Sequence, residues 1–389
     1  MLFNFLLFII IIFIIIEIKH YFRQNSPLVI KPKEYKKSIL DSKHRYSTLV
    51  EIINTNKRME VMIPSFKVNP QLIGINKSEG INIHTKIKAL HPDIEEKGKH
   101  FNYWNAYILK GKKSTFVEIE IEFELQYKLL DEIKCLWVEI EWVNYGPFGS
   151  IKSFDGFVLP TLIDKPEENP SKFNLINPIK THILGTLDSP IDVIKYYIPK
   201  NCLPTDILTI GESPLAIMQG NYEDYRNVHS SLLSRLICKG FHPTSSLATA
   251  CGMQTLINNS GPTRVVISWI IGGIFKSLGV KGIFYRLAGE QARLIDDITG
   301  TTPPYDKSIV LGPKDTLNFC SKVSKELNVN VAVVDVNDLG RVKVVSTSNV
   351  NKIELIKRAL KTNPAGNSNQ QTPLVLIRSD VLNIQSRES

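Results

Sequence analysis

Residues 116–125, FVEIEIEFEL, alternate apolar and acidic side chains without a break. A helix turns about 100° per residue and would scatter these apolar groups around its whole surface. A strand sends successive side chains to opposite faces and separates the two kinds cleanly. This segment therefore reads as a half-buried strand, with Val117, Ile119, Ile121 and Phe123 on the core face and the Glu side chains in water. Residues 136–143, LWVEIEWV, repeat the pattern, and 58–68, RMEVMIPSFKV, read as a further strand broken at Pro64, which has no N–H for a neighbour.

Gly, Asn and Pro punctuate the whole of 28–150 at short intervals, as turns between short strands do. The segment is thus expected to form a small antiparallel β-sandwich of the immunoglobulin-like sort. Nothing in it resembles catalytic chemistry, and its expected role is spacer or interaction module.

The N-terminus is different in kind. Residues 1–16, MLFNFLLFIIIIFIII, hold one polar side chain, Asn4, before Glu17. About 20 residues cross a bilayer core, so the run is at the short end. A removable signal peptide would want a basic start and a small-residue cleavage site, and neither is visible. Lys19, Arg23, Lys31, Lys33, Lys36 and Lys37 follow the run. By the positive-inside rule they leave the bulk of the chain cytoplasmic, behind a single-pass transmembrane helix over 1–18. The same cations would meet anionic head groups, making membrane lipid an expected partner. A second apolar run, VVISWIIGGIF at 265–275, is too short to span and reads as a buried helix or a membrane-leaning surface.

With 389 residues, two soluble parts are a sensible expectation. The net charge of +9 suits anionic membranes, phosphorylated ligands or nucleic acid; no nucleic-acid motif is recognisable and the cations gather at the membrane end, so no nucleic-acid partner is expected. The five Cys form no CxxC and the eight His no HExxH, which argues against a zinc site and for a reducing compartment.

Residues 164–178, polar and Pro-bearing, read as a linker. Beyond it the texture becomes mixed α/β. Strands are expected at 206–211, 330–336 and 373–379, and helices at 223–240, 245–259 (capped by Ser245 or Ser246), 315–327 (capped by Asp315) and 352–360. Asn351 and Glu354 have capping-box spacing. The fold class is α+β: a transmembrane helix, a β-sandwich-like domain over 28–150 and a mixed α/β domain over 176–380.

Three clusters in this second part carry chemistry. RLIDDITG (293–300) holds Asp296, Asp297 and Thr299. VVDVNDLGR (333–341) holds Asp335, Asn337 and Asp338 at the end of an apolar strand, and NPAGNSNQQTP (363–373) is a Gly- and Asn-rich loop. Hard cations such as Mg²⁺ or Mn²⁺ take one or two carboxylates plus waters and phosphate oxygens. Paired carboxylates repel unless a cation or proton relieves them, and a Gly-rich loop can turn backbone N–H groups to a phosphate. Taken singly, each cluster reads as well as a cap or turn. There is no Walker A motif and no GxGxxG.

Taken in order, the segments resemble the gamma-glutamyl ligase family of the deazaflavin coenzyme F-420. The resemblance runs over about 176–380 and rests on six stretches: NPIKTHILG (177–185), PTDILTIGESPLAIMQG (204–220), RLIDDITG (293–300), SIVLGPKD (308–315), VAVVDVNDLGR (331–341) and NSNQQTPLVLIRS (367–379). It implies a mixed α/β ligase domain forming a homodimer. It also implies a reaction joining L-glutamate or a similar amine to a small-molecule carboxylate through an acyl phosphate, with GTP (or ATP) and divalent metal. Carried over by position, Asp296, Thr299 and Asp335 become metal ligands, with Asp297 and Asp338 as neighbours able to substitute. Matching the fifth segment without a gap would put Asn337 in place of Asp335. Gly366, Asn367, Gln370 and Gln371 fall in the nucleotide loop. The family's phosphate-contacting Ser-Lys pair is Ala216–Ile217 here, so Arg286 or Arg293 is the candidate replacement charge. Two readings stay open: a membrane-anchored ligase, and a non-catalytic membrane-tethered binding protein that keeps the fold.

Overall fold

The computed structural model of the chain describes residues 2–21, 26–40, 42–74, 81–95, 103–124, 132–146, 149–160, 175–297, 303–337, 340–366 and 370–378. Helix α1 (Leu2–Tyr21) carries the apolar N-terminus, with nearly all its described side chains exposed. The expected transmembrane span over 1–18 finds no support: among the described residues no helix is long and apolar enough to cross a membrane.

Eight strands follow: β1 (Leu28–Leu40), β2 (Lys43–Asn54), β3 (Val61–Ile73), β4 (Ile83–Leu90), β5 (Tyr107–Leu109), β6 (Ser114–Glu124), β7 (Cys135–Gly146) and β8 (Gly149–Leu159). A single turn, α2 (Pro92–Glu95), precedes β5. The strands pair antiparallel in two sheets, β1-β2-β6-β4 and β5-β3-β7-β8, around one core. Strand β6 behaves as its alternation requires. Val117, Ile119, Ile121 and Phe123 are buried, each contributing roughly 1.5–3 kcal/mol relative to exposure. Glu118, Glu120 and Glu122 face outward and pair with Lys88 and Arg45. The break at Pro64 is a register shift of β3 on β7 between Met62 and Ser65.

Strand β7 departs from its pattern. Glu139, expected in water, is 9% exposed and accepts a hydrogen bond from Arg226 at 2.6 Å. The outer face of this sheet is covered by the second part of the chain. Trp137 meets Tyr305 edge-on, and Asn227 hydrogen-bonds the backbone of Phe154 in both directions. The sandwich also runs past the expected boundary at 150, because β8 pairs with β7 out to Leu159.

Residues 161–174 lie outside the described residues, and with them most of the expected linker; its end is folded as strand β9 (Ile176–Ile179). Next come α3 (Pro190–Tyr197), β10 (Ile207–Gly211), α4 (Glu212–Met218), β11 (Tyr222–Asp224), α5 (Leu232–Ile237), α6 (Ala250–Ser260), α7 (Pro262–Ser277), α8 (Ile283–Leu287) and β12 (Ser308–Val310). The chain ends with α9 (Thr316–Leu327), β13 (Asn330–Val336), β14 (Val342–Thr347), α10 (Ile353–Leu360) and β15 (Leu374–Ile377). A five-stranded sheet, β14-β13-β10-β15-β9, forms the centre, with β10 and β13 its parallel pair. Helices α3 and α9 pack on one face and α10 on the other. Apolar side chains leave both faces of β10, which is why DILTIG has no alternation. Helices α5, α6, α7 and α8 build a separate cluster.

Several expected helices are shorter because local caps intervene. The 223–240 helix reduces to α5 between β11 and short 3₁₀ turns: Asp224 accepts from Arg226 N–H and Ser231 from Ser234 N–H, each starting a new segment. The 245–259 helix starts after Thr249, which caps α6 by accepting from Gly252 N–H; Ser245 caps only the 3₁₀ turn before it. Asp315 precedes α9 in the left-handed region (φ 50°) and makes no cap bond; its carboxylate accepts from Asn318 instead. The Asn351–Glu354 capping box does not form, since Asn349 caps the turn leading into α10.

Candidate functional site

Strands β10 and β13 run parallel, with Gly211 opposite Val334. Their C-terminal ends therefore deliver Glu212, the first residue of α4, and Asp335 to the same edge of the sheet. Asp296 reaches them from the loop after α8. Two backbone hydrogen bonds of 2.8 Å with Val310 fix its position, and Ser213 Oγ donates to its Oδ2 at 2.6 Å. All three carboxylates line one cavity of about 590 Å³. Its wall is otherwise largely apolar, including Leu184, Ile217 and Val334, and extends to Ile73 and Lys134 of the sandwich.

Burial dominates the electrostatics here. It pushes Glu212 up to about 9, and Asp335 and Asp296 push further in the same direction against Lys343. Burial also raises Asp296, with Asp335 adding to it and the Ser213 hydrogen bond opposing it. Asp335 is raised by burial as well, opposed by Lys343 and Arg341. Glu212 is 6% exposed, and its Oε2 has no hydrogen-bond partner. Three carboxyl groups that hold protons beyond their usual range are relieved alike by a cation placed among them.

The donor set suits a particular kind of cation. Mg²⁺ and Mn²⁺ keep waters and take few carboxylates, so Asp296 and Asp335 on one wall fit such an ion together with substrate oxygens. They do not form a closed protein cage: among the described residues no group of three or more His, Cys, Asp or Glu is arranged to hold a metal.

The other candidates separate. Asp297, 2% exposed, turns away from the cavity and accepts from Thr249 Oγ1 at the start of α6. It ties the loop to that helix. Thr299, Asp338 and Asn367 lie outside the described residues. Gly366 and Gln371 line the cavity, and the Gln371 carbonyl accepts from Thr181 N–H. Gln370 does not line it; its side chain lies over Gly366, where an added Cβ would stand 1.3 Å from Oε1. With φ at 64°, Gly366 is held as glycine twice over. Arg293 and Arg286 are both exposed and outside the cavity wall, so neither places a charge there. Ala216 is buried and Ile217 lines the cavity. Glu212 was not among the sequence candidates. Its signal was present: an acid directly following a buried strand, as Asp335 sits at the end of one.

An Ig-like sandwich joined to a mixed α/β body with a carboxylate-lined cavity defines the class of protein. Residues 29–163 match the family model of the N-terminal Ig-like domain of F420-0:gamma-glutamyl ligase, and this match covers the sandwich. Comparison with curated proteins finds no match. Among solved structures, a protein from Archaeoglobus fulgidus is similar at 10% identity, over 34% of this chain and 100% of its own, with a TM-score of 0.18. The collagen-binding subdomain ACE19 of the Enterococcus faecalis surface protein ACE is similar at 7% identity, over 34% of this chain and 96% of its own, with a TM-score of 0.17. Scores this low carry no argument about function.

Proposed function

We propose that this chain is a divalent-cation-dependent ligase of the gamma-glutamyl ligase type, forming an amide between a small-molecule carboxylate and an amine such as L-glutamate. One observation carries the reading: Glu212, Asp296 and Asp335 converge on a single cavity, and Glu212 Oε2 is buried there without a partner. The Ig-like domain match supports the same family. Asp296 and Asp335 would hold Mg²⁺ or Mn²⁺, which would supply charge neutralisation for phosphate oxygens.

The residues then divide the work. Ser213 holds the Asp296 carboxylate in place through its hydrogen bond. Once a cation beside it favours its ionised form, Glu212 would offer its unpartnered oxygen to the amine and take a proton from it as the amide forms. The apolar wall around Leu184 and Ile217 keeps water from an activated carboxylate, which water would otherwise hydrolyse. Bond by bond, the terminal phosphoryl of GTP or ATP passes to the carboxylate, the amine nitrogen attacks the acyl carbon, and inorganic phosphate leaves with the nucleoside diphosphate.

The nucleotide side fits less well. Ala216 and Ile217 give a phosphate no hydrogen bond, and Lys134 is the one Lys or Arg among the described residues of the cavity wall. This favours a second reading, a binding protein that keeps the ligase fold. Calorimetry of the full chain with GTP or ATP and Mn²⁺ separates the two. The ligase reading expects metal-dependent nucleotide binding and phosphate release on adding L-glutamate and a carboxylate; the absence of heat with every nucleotide–metal pair would rule it out.

A further inference from the structure

Helix α7 has two unlike sides. Val265 and Ser268 are buried, and Gly272 lies against α8, where an added Cβ would meet Phe284 at 2.9 Å. On the opposite side Ile267, Ile270, Ile274 and Leu278 form a stripe at helical spacing, with Ile274 56% and Leu278 71% exposed. Leu232 and Leu236 of α5, in the same helical cluster, are exposed as well.

The charge along this part of the chain is one-sided. Residues 225–289 contain no Asp or Glu. A chain with 38 acidic residues in 389 would place about six in a stretch of that length. The same stretch holds seven cations, Arg226, Arg235, Lys239, Arg264, Lys276, Lys281 and Arg286. Arg226 is neutralised by Asp224 and Glu139. The other six are exposed, and among the described residues none of them is in an ion pair. An exposed apolar stripe, in a stretch of chain whose unpaired charges are all positive, matches one surface in particular: a bilayer whose head groups are anionic. Nucleic acid would use the cations and leave the isoleucines in water; a second copy would use the isoleucines and bring like charges together.

We infer that the α7 face, with the cations of this stretch, docks on anionic lipid in the plane of the membrane. This contact is separate from any made by α1, whose Phe5, Phe8 and Phe13 are also exposed. The test therefore has to read α7 itself in the full chain. With Cys202 and Cys251 replaced by Ser, an environment-sensitive fluorophore is attached in I274C, and in L317C of α9 as an exposed control. Vesicles of phosphatidylcholine with phosphatidylglycerol should cut aqueous iodide quenching at 274 severalfold, and brominated lipid should quench that label, with 317 unaffected. The K276E/K281E pair should weaken the vesicle effect roughly tenfold. A label at 274 that stays open to iodide while the protein is vesicle-bound would overturn the inference. So would protection that rises with protein concentration before any lipid is added, which would assign the face to a second copy, or protection conferred by an RNA oligomer alone.

Discussion

Replacing Glu212 by Gln should make the protein more stable at neutral pH. In the folded chain burial holds the Glu212 carboxyl protonated up to about 9, while the unfolded chain releases that proton near its ordinary 4.5. A folded pKa above the unfolded one contributes stability that is complete below 4.5 and lost progressively as pH rises toward 9. Each pH unit in that window costs about 1.4 kcal/mol, so about 3 kcal/mol is gone by pH 7. Gln has the shape of the neutral acid and does not ionise, so E212Q avoids this loss. Thermal unfolding of the full chain in metal-free buffer should show E212Q higher by roughly 5–10 °C at pH 8 and equal to wild type near pH 4.5. Saturating Mn²⁺ should narrow the gap at pH 8, because a bound cation stabilises the folded wild type. A variant no more stable than wild type at pH 8, or equally stabilised at both pH values, would refute the electrostatic account of the cavity.

Two further outcomes follow from the same geometry. Thr249→Val removes both the cap of α6 and the donor to Asp297, and should cost about 2–3 kcal/mol in a denaturant melt; Mn²⁺ affinity should stay within about twofold, and a tenfold loss would return Asp297 to the cation site. Gly366→Ala must displace Gln370 and adopt φ near 64°, which should cost about 1–2 kcal/mol and weaken ligand binding in the cavity; an unchanged melting temperature would show that the loop has no such constraint.

The sandwich was legible because its signal is local. Alternation along β6 is enough to place Val117, Ile119, Ile121 and Phe123, whatever lies elsewhere in the chain. What escaped was the second part's cover over β7: Glu139 looks like any solvent-facing acid until Arg226, distant in sequence, is folded onto it. Helix limits failed for a related reason. Thr249 and Asn349 compete as caps with Ser245 and Asn351, and neighbouring Ser, Thr and Asn residues offer nearly equal local energies. At the site, the sequence named Asp296 and Asp335 through their order along the chain, and both line the cavity. It ranked Asp296 above Asp297 but left Asp297 able to substitute, because adjacent residues point opposite ways only once the bridge to Val310 is made. Glu212 follows a buried strand as Asp335 ends one, but that signal joins the two only through the parallel pairing of β10 with β13, a contact across more than a hundred residues.

The central claim, a cation held between Asp296 and Asp335, is tested most directly by titrating the full chain with Mn²⁺ and following free ion by electron paramagnetic resonance. Wild type should bind Mn²⁺ near neutral pH, Asp296→Asn and Asp335→Asn should each lose that binding by tenfold or more, on the order of 1.4 kcal/mol, and Asp297→Asn should bind like wild type. Undiminished binding in both Asp296→Asn and Asp335→Asn, or loss confined to Asp297→Asn, would contradict it.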